Sequence, residues 1–483
     1  MISVLCRERA KKGGTVGNMN GIGISRRQFL AMAGGGMTAI SLSGCMTEGR
    51  VENSLKERNV NQPNIILILA DDLGIPGVGC YGGIYKTPRL DAMAREGVRF
   101  EYCFSAPLCA PSRAMLMTGR FPFRTGVVDN GIGDKATPKT ETIIAKILKQ
   151  AGYVTAMAGK WHQLPLMNSA EEAKAWGFDE FLKWDKFTGE RYWKPGLNRN
   201  GQPVPVTEKS YAPDILHEYV VDFIARHKDR PFFLYYPMTL IHAKLFKTPD
   251  SGVGGGDLLA DNIAYMDKLV GKLLDELEKL KLAEKTLVVF VGDNGLARYG
   301  GKISGREIAG HKGTVLEGGS RVPMVVSWKG TTTGGKVSKD LVEFTDFYAT
   351  FAEVAGAKLP EGLKIDSCSF VPQIKGEAGK PREWIFIQLG NKWYVRDARW
   401  KLNQSDELFD MKDAPFAEHL VAAGDQNGDA AGARAKLQKV LDDFGPALQA
   451  SSVLEKKVKK KVKKSDKKAK GQSKKRKKTG TLK

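Results

Sequence analysis

The residues best suited to chemistry begin at Cys109-Ala110-Pro111-Ser112-Arg113 and run on to Thr118-Gly119-Arg120. Proline fits a first helical turn, and Ala114-Met115-Leu116-Met117 lacks β-branching, so the spacing predicts a loop that becomes a helix near Pro111. Cys109 then stands at a helix N-terminus. Unpaired N–H groups and the helix dipole favour an anion there, and Arg113 adds a fixed positive charge one turn in. This is a setting for a nucleophile facing an anionic substrate. Two acidic sets complete it. Asn64-Ile65-Ile66-Leu67-Ile68-Leu69-Ala70 is a continuous apolar run that ends in Asp71-Asp72, and Thr286-Leu287-Val288-Val289-Phe290-Val291-Gly292 ends in Asp293-Asn294-Gly295. Such runs predict strands buried on both faces of a largely parallel sheet, whose carboxyl ends are where ligands bind. Oxygen ligands delivered from two strand tips suit a hard cation, Ca²⁺ or Mg²⁺.

Cys-x-Pro-Ser-Arg followed by Thr-Gly-Arg closely resembles the signature of the sulfatase family, the formylglycine-dependent type I group on an alkaline-phosphatase-like scaffold. Family-like stretches recur in order from about Asn61 to Asp413. The resemblance implies that Cys109 is oxidised to formylglycine by a maturation enzyme, and that Asp71, Asp72, Asp293 and Asn294, with the modified Cys109, hold Ca²⁺. Gly159-Lys160-Trp161-His162 matches the string in which the lysine binds sulfate and the histidine contacts the formylglycine. The chain then departs from the pattern, with Gln163-Leu164-Pro165 where the family usually has Leu-Gly. His242 follows a strand as the family histidine does, but its usual Pro-His-x-Pro setting is degraded to Ile241-His242-Ala243-Lys244. His311-Lys312-Gly313 maps Lys312 onto a sulfate-contacting lysine, and Glu317 to Pro323 follows the family string closely.

The implied chemistry is sulfate-ester hydrolysis, with a sulfated small molecule or glycan as substrate. The hydrated aldehyde attacks sulfur, and its second hydroxyl lets the sulfated enzyme collapse without hydrolysis at sulfur. Arg113 and Lys160 would stabilise nucleophile and sulfate, His162 would be the base of the collapse, and His242 and Lys312 would bind sulfate and protonate the leaving oxygen.

These residues need an α/β frame. The expected fold is a large, mostly parallel sheet sandwiched by helices, followed by a small C-terminal antiparallel α+β subdomain. Helices are predicted at Pro88 to Gly97, Glu141 to Ala151, Asp214 to His227, Asp257 to Leu282 and Asp346 to Ala355, and strands at Val154 to Ala158, Pro231 to Pro237 and Met324 to Trp328. Residues 163–212 show weak periodicity and carry Lys183, Trp184, Lys186, Arg191, Tyr192, Trp193 and Lys194. They read either as a surface loop or as a substrate-facing one, since aromatics stack on sugars and cations pair with sulfates. The catalytic domain is placed at 61–360 and the C-terminal subdomain at 361–450, with short strands from about 381 to 413 and a last helix near 430–445.

The net charge of +21 belongs to the ends. Residues 455–483 hold 16 Lys/Arg against 2 acids and residues 1–50 hold 7 against 2, leaving 52 against 50 between them. The body is nearly neutral, which argues against specific nucleic-acid binding. The Lys-rich tail 455–483 lacks a core-forming pattern and is expected to be disordered. Ser25-Arg26-Arg27-Gln28-Phe29-Leu30, an apolar run and Leu42-Ser43-Gly44-Cys45 resemble a twin-arginine signal ending in a bacterial lipobox. Residues 1–45 are therefore expected to be a signal, with Met19 the suspected start, Cys45 a lipid anchor to the membrane and 46–60 a tether. The localisation expected is periplasmic or cell-surface. Of the six cysteines, Cys6, Cys45, Cys80, Cys103, Cys109 and Cys368, none forms a CxxC pair. Cys80, Cys103 and Cys368 are expected to be mainly buried small hydrophobes, with one bridge possible. Two other readings stand beside the sulfatase one: phosphoester or phosphonate hydrolysis on the same scaffold, and a non-catalytic surface lipoprotein whose basic tail binds polyanions.

Overall fold

A computed structural model describes residues 62–448, apart from 132–135, 163, 166, 186–187, 253, 255 and 298–300. The signal at 1–45 with Cys45, the tether at 46–60, the tail at 455–483, and Gln163 and Lys186 lie outside the described residues.

The apolar run Asn64–Ala70 is a strand at the centre of a ten-stranded sheet. Its odd-numbered residues Ile65, Leu67 and Leu69 join one apolar cluster, and Ile66, Ile68 and Ala70 join another. That alternation is the signature of a strand covered on both faces. It pairs in parallel with Phe232–Pro237 on one side and Thr286–Gly292 on the other. Val154–Gly159 and Glu180–Trp184 extend the parallel set beyond Phe232–Pro237. Met324–Ser327 runs antiparallel between Thr286–Gly292 and Val98–Phe104, with Lys336–Glu343 at the edge. Helices Pro88–Glu96, Ala212–Arg226 and Leu258–Lys279 cover one face. Cys109–Thr118, Ile144–Gln150 and Asp346–Ala355 cover the other. Among the described residues no helix is long and apolar enough to cross a membrane.

Several elements escape the sequence reading, among them strand Glu180–Trp184 within the stretch read as a loop. Val98–Phe104 and Lys336–Glu343 are strands with polar residues on their exposed sides. Helix Ala170–Trp176 opens with a capping box between Ser169 and Glu172, a local signal visible as Ser-x-x-Glu. Glu141 to Ala151 is shorter than expected, since the helix starts only at Ile144.

A second sheet of five antiparallel strands follows: Ile385–Leu389, Lys392–Arg396, Trp400–Asn403, Leu408–Asp410 and His419–Leu420. Residues 428–448 are helical. Phe386, Val395, Leu437 and Phe444 belong to the same apolar cluster as the Cys109 helix. Phe121 and Phe123, just past that helix, meet Phe386 and Phe444 at ring distances of 5.2–5.6 Å. Such aromatic pairs contribute roughly 0.5–1.5 kcal/mol each beyond the area they bury. The small sheet thus braces the helix that begins at Cys109. Of the remaining cysteines Cys103 is buried, Cys80 is half-buried and Cys368 is exposed, and all are free thiols. The expectation of burial fails for Cys368, which follows the polar stretch Asp366-Ser367.

Candidate active site

The strand tips converge because the sheet register aligns them. Ala70 pairs with Gly292, so Asp71-Asp72 and Asp293-Asn294 leave the sheet side by side. The Asp293 N–H donates to Ala70 O at 2.9 Å, and the Asp72 N–H donates to Asp293 Oδ1 at 2.9 Å. Past the next strand, the Asp71 N–H donates to Leu240 O and the Ile241 N–H to Asp71 O, which brings His242 alongside. Asp72 takes φ +63, a left-handed conformation that aspartate tolerates better than most residues. Gly295 must be glycine, because a Cβ there would lie 1.7 Å from Gly318 O. The Glu317 to Pro323 string therefore packs directly against the metal-candidate tip.

The helix runs from Cys109 to Thr118, starting two residues before Pro111. Cys109 is 1% exposed, and its Sγ lies 3.6 Å from Asp71 Oδ1, 3.7 Å from Asp72 Oδ1 and 3.3 Å from Lys312 Nζ. One turn on, Arg113 is fully buried and donates Nε and Nη2 to Asp293 Oδ2 at 2.9 and 2.7 Å. Lys160 Nζ reaches both oxygens of Asp71 at 2.8 and 2.7 Å, and Lys312 Nζ donates to Asp72 Oδ1. His242 Nε2 is 4.0 Å from Asp72 Oδ2. Three acids and three cations are thus interleaved around one sulfur. His162 is half-buried, two residues past Lys160, and is not part of the close group formed by Asp71, Asp72, Cys109 and His242.

The donor set fits a hard cation. Asp72 Oδ2 and Asn294 Oδ1 are buried without a hydrogen-bond partner, while Asn294 Nδ2 donates to Asp72 Oδ1 and Gly295 O at 3.0 Å each. Two orphaned buried oxygens among carboxylates are costly unless something positive meets them. Asp71, Asp72, Cys109 and His242 offer ligand atoms within 4.8 Å of one another.

A family model described as Sulfatase matches residues 63–357. The chain belongs to the sulfatase family. It is arylsulfatase-like: it is 30% identical to human Arylsulfatase D over 462 residues, covering 73% of this chain and 77% of that one. It is 33% identical to human Arylsulfatase A, covering 67% and 70%. It is also 33% identical to human N-acetylgalactosamine-6-sulfatase, covering 65% and 66%. Among solved structures, Ps i-CgsB in complex with k-i-k-neocarrahexaose superposes with a TM-score of 0.67 at 29% identity, over 78% of this chain and 92% of that one. A protein solved with its substrate D-glucosamine-2-N,6-O-disulfate shares the fold, with a TM-score of 0.63 at 22% identity over 80% and 98%. The sulfatase is accordingly a sulfuric ester hydrolase.

The electrostatics of the sulfatase site follow from burial and neighbours. Burial pushes the Cys109 thiol up to about 12 against the pull of Lys160. As a thiol it stays protonated at neutral pH, a poor nucleophile. Burial also acts to raise Asp71, but Lys160 and Arg113 outweigh it and hold the carboxyl well below the usual range. Asp293 goes the other way, to about 6, because burial and its fellow acids exceed the help of Arg113. Burial lowers His242 to about 4, so its imidazole is neutral at pH 7. Lys312 is raised despite burial by Cys109 and the acids.

Sequence reasoning missed two supports. Asn130 Oδ1 accepts the Ala110 N–H at 3.1 Å at the start of the nucleophile helix, and no local signal marks it. Tyr192 is buried, with its hydroxyl 2.9 Å from Thr239 O and 2.8 Å from His242 O, so it pins the histidine loop. Its position in the aromatic-rich stretch 184–193 was the available clue.

Proposed function

We propose that this sulfatase hydrolyses a sulfate ester of a sulfated glycan, using formylglycine made from Cys109 and a bound Ca²⁺. The observation that supports it most is the position of Cys109 Sγ, within 3.3–3.7 Å of Asp71, Asp72 and Lys312 at a helix N-terminus. A buried, protonated thiol there has no evident use, whereas the same carbon bearing an aldehyde hydrate supplies an oxygen nucleophile with a second hydroxyl. Asp71, Asp72, Asp293 and Asn294 would hold the cation, which neutralises sulfate oxygens and lowers the barrier to attack. Mg²⁺ is the alternative ion for the same oxygens.

The chain's own residues do the rest. Arg113, fixed by Asp293, keeps positive charge behind the nucleophile position. Lys160 and Lys312, now spent on Asp71 and Asp72, are poised to turn toward sulfate oxygens once those acids face a cation. Lys312 carries protons within reach of Cys109, as needed to protonate a leaving oxygen. His242 Nδ1 is engaged with Ala243 O, which leaves Nε2 facing the acids and the substrate. His162 serves as the base in the release of sulfate.

The proposal extends to cell biology. The sequence of residues 25–45 supports twin-arginine export and lipid anchoring at Cys45, which puts the enzyme in the periplasm or on the cell surface. Folding before export would require the oxidation of Cys109 by a cytoplasmic maturation enzyme.

The deciding experiment is the mass of the Cys109 peptide from protein made in its native host, combined with turnover of an aryl sulfate and an aryl phosphate. Formylglycine and faster sulfate turnover are expected. An unmodified cysteine in active enzyme, or faster phosphate turnover, would overturn the reading in favour of phosphoester chemistry.

A further inference from the structure

We propose that Arg191 binds a second anionic group of the substrate, a carboxylate or a further sulfate on the same sugar or its neighbour. This rests on the glycan-sulfatase reading above. Arg191 is half-buried, and its guanidinium lies 4.4 Å from the centre of the Trp184 ring. Trp184 is itself fixed by its Nε1 donating to Glu190 O at 3.1 Å. Stacking of this kind sets the plane of the guanidinium and leaves its edge free to bind.

The position is at the active-site rim. Arg191 Nη1 lies 3.5 Å from Ala243 O, the same carbonyl that His242 Nδ1 contacts. Tyr192, next in sequence, is anchored to Thr239 O and His242 O. The backbone that carries Arg191 is therefore tied to the loop that carries His242, beside Asp72.

Arg191 also lacks a counter-charge. Two other cations of the stretch have one, Lys194 with Glu208 and Arg199 with Asp222, while the buried Lys183 has no carboxylate within ion-pair distance among the described residues. Among the described residues no carboxylate lies within ion-pair distance of Arg191, and one long contact to a carbonyl uses only one of its five N–H donors. A partly desolvated guanidinium held at a fixed angle favours an incoming anion, and its fork matches a carboxylate or sulfate in a bidentate way. The loop reading of 163–212 as substrate-facing gains a specific residue.

The test is competition against 4-nitrophenyl sulfate hydrolysis in wild type, R191A, R191K and Y192F. The competitors are inorganic sulfate, monosulfated neutral disaccharides, and disulfated or uronate-bearing disaccharides from carrageenan, chondroitin and heparin. Wild type is expected to prefer at least one dianionic saccharide over its monoanionic counterpart. R191A should cut that preference about tenfold to a hundredfold, with R191K retaining part of it. Comparing the uronate and disulfated arms tells carboxylate from sulfate. Y192F, which loosens the histidine loop, should weaken all saccharides alike and leave the preference in place. An unchanged preference in R191A, or none in wild type, overturns the inference. Failure of formylglycine-bearing wild type to hydrolyse the aryl sulfate overturns the parent reading instead.

Discussion

The charges at the strand tips and those around Arg382 are mostly buried, yet they are wired for different ends. Arg382 is 4% exposed, and it pairs with Glu343 at 2.6 Å and Asp346 at 2.5 Å. Asp346 also accepts the N–H groups of Glu343 and Cys368 at 2.9 and 2.8 Å, and Glu343 Oε2 accepts the Phe386 N–H at 3.1 Å. The arginine fork and backbone donors fix each acid, and together they tie strand Lys336–Glu343 and helix Asp346–Ala355 to the C-terminal sheet. At the strand tips two of the three cations are lysines, point charges on flexible stems, and two oxygens are left over. A cluster gripped by an arginine fork and backbone donors holds the fold; one held by flexible lysines waits for a ligand.

The comparison can be broken most directly at Cys109. C109A should reduce aryl sulfate turnover by roughly five orders of magnitude or more, as removing a covalent nucleophile does. Because the thiol packs among charges rather than in the apolar core, the melting temperature should hold within a few degrees. Unfolding of C109A would place Cys109 in the structural class.

R382M should do the reverse. Leaving Glu343 and Asp346 buried without their partner is expected to cost about 3–5 kcal/mol in chemical denaturation, with activity per folded molecule retained. A stability change below about 1 kcal/mol would remove the contrast between the clusters.

K312A lies between these two. Loss of a charge aimed at the sulfate and leaving oxygen should lower kcat about a hundredfold to a thousandfold. Stability should fall by less than in R382M, since the Lys312 side chain is 15% exposed and the Arg382 side chain 4%. Chelation tests the leftover oxygens. If the proposed divalent cation is bound, its removal should abolish turnover reversibly, yet lower the melting temperature by only a few degrees, because three cations already offset the three acids. Unfolding on chelation would show that the metal is structural.

The smallest effect concerns a buried group in neither cluster. His217, on helix Ala212–Arg226 near Lys272 and Glu276 of helix Leu258–Lys279, is lowered by burial to about 4. The unfolded imidazole takes up its proton near 6.5 and the folded one only near 4, so stability is lost as pH falls through that window. H217Q should flatten that acid slope by about 2–3 kcal/mol between pH 6.5 and 4. An unchanged slope would mean that His217 is solvated on the folded side.

Much of the site could be read from the chain, because motif residues sit at the ends of strands with an unmistakable apolar pattern. Asp71-Asp72 and Asp293-Asn294 are such cases, and the register Ala70 to Gly292 brings them together. Val98–Phe104 and Lys336–Glu343 were not legible. Polar residues interrupt their apolar pattern, and tertiary pairing outweighs local pattern there. Asn130, Tyr192 and Arg191 lay in stretches without periodicity, where a side chain's role depends on what another segment places beside it.

The sequence by itself determined the chemistry class, the strand tips that carry the acids and the helix that presents Cys109, because apolar runs, Pro111 and a long motif act locally. Only the tertiary structure decided which cation meets which acid, that Asp72 Oδ2 and Asn294 Oδ1 are left over, and that Arg191 faces the rim without a counter-charge among the described residues. Those outcomes depend on angstrom-scale convergence of segments far apart in the chain. Electrostatic energies change with such distances, and no spacing along the sequence encodes them.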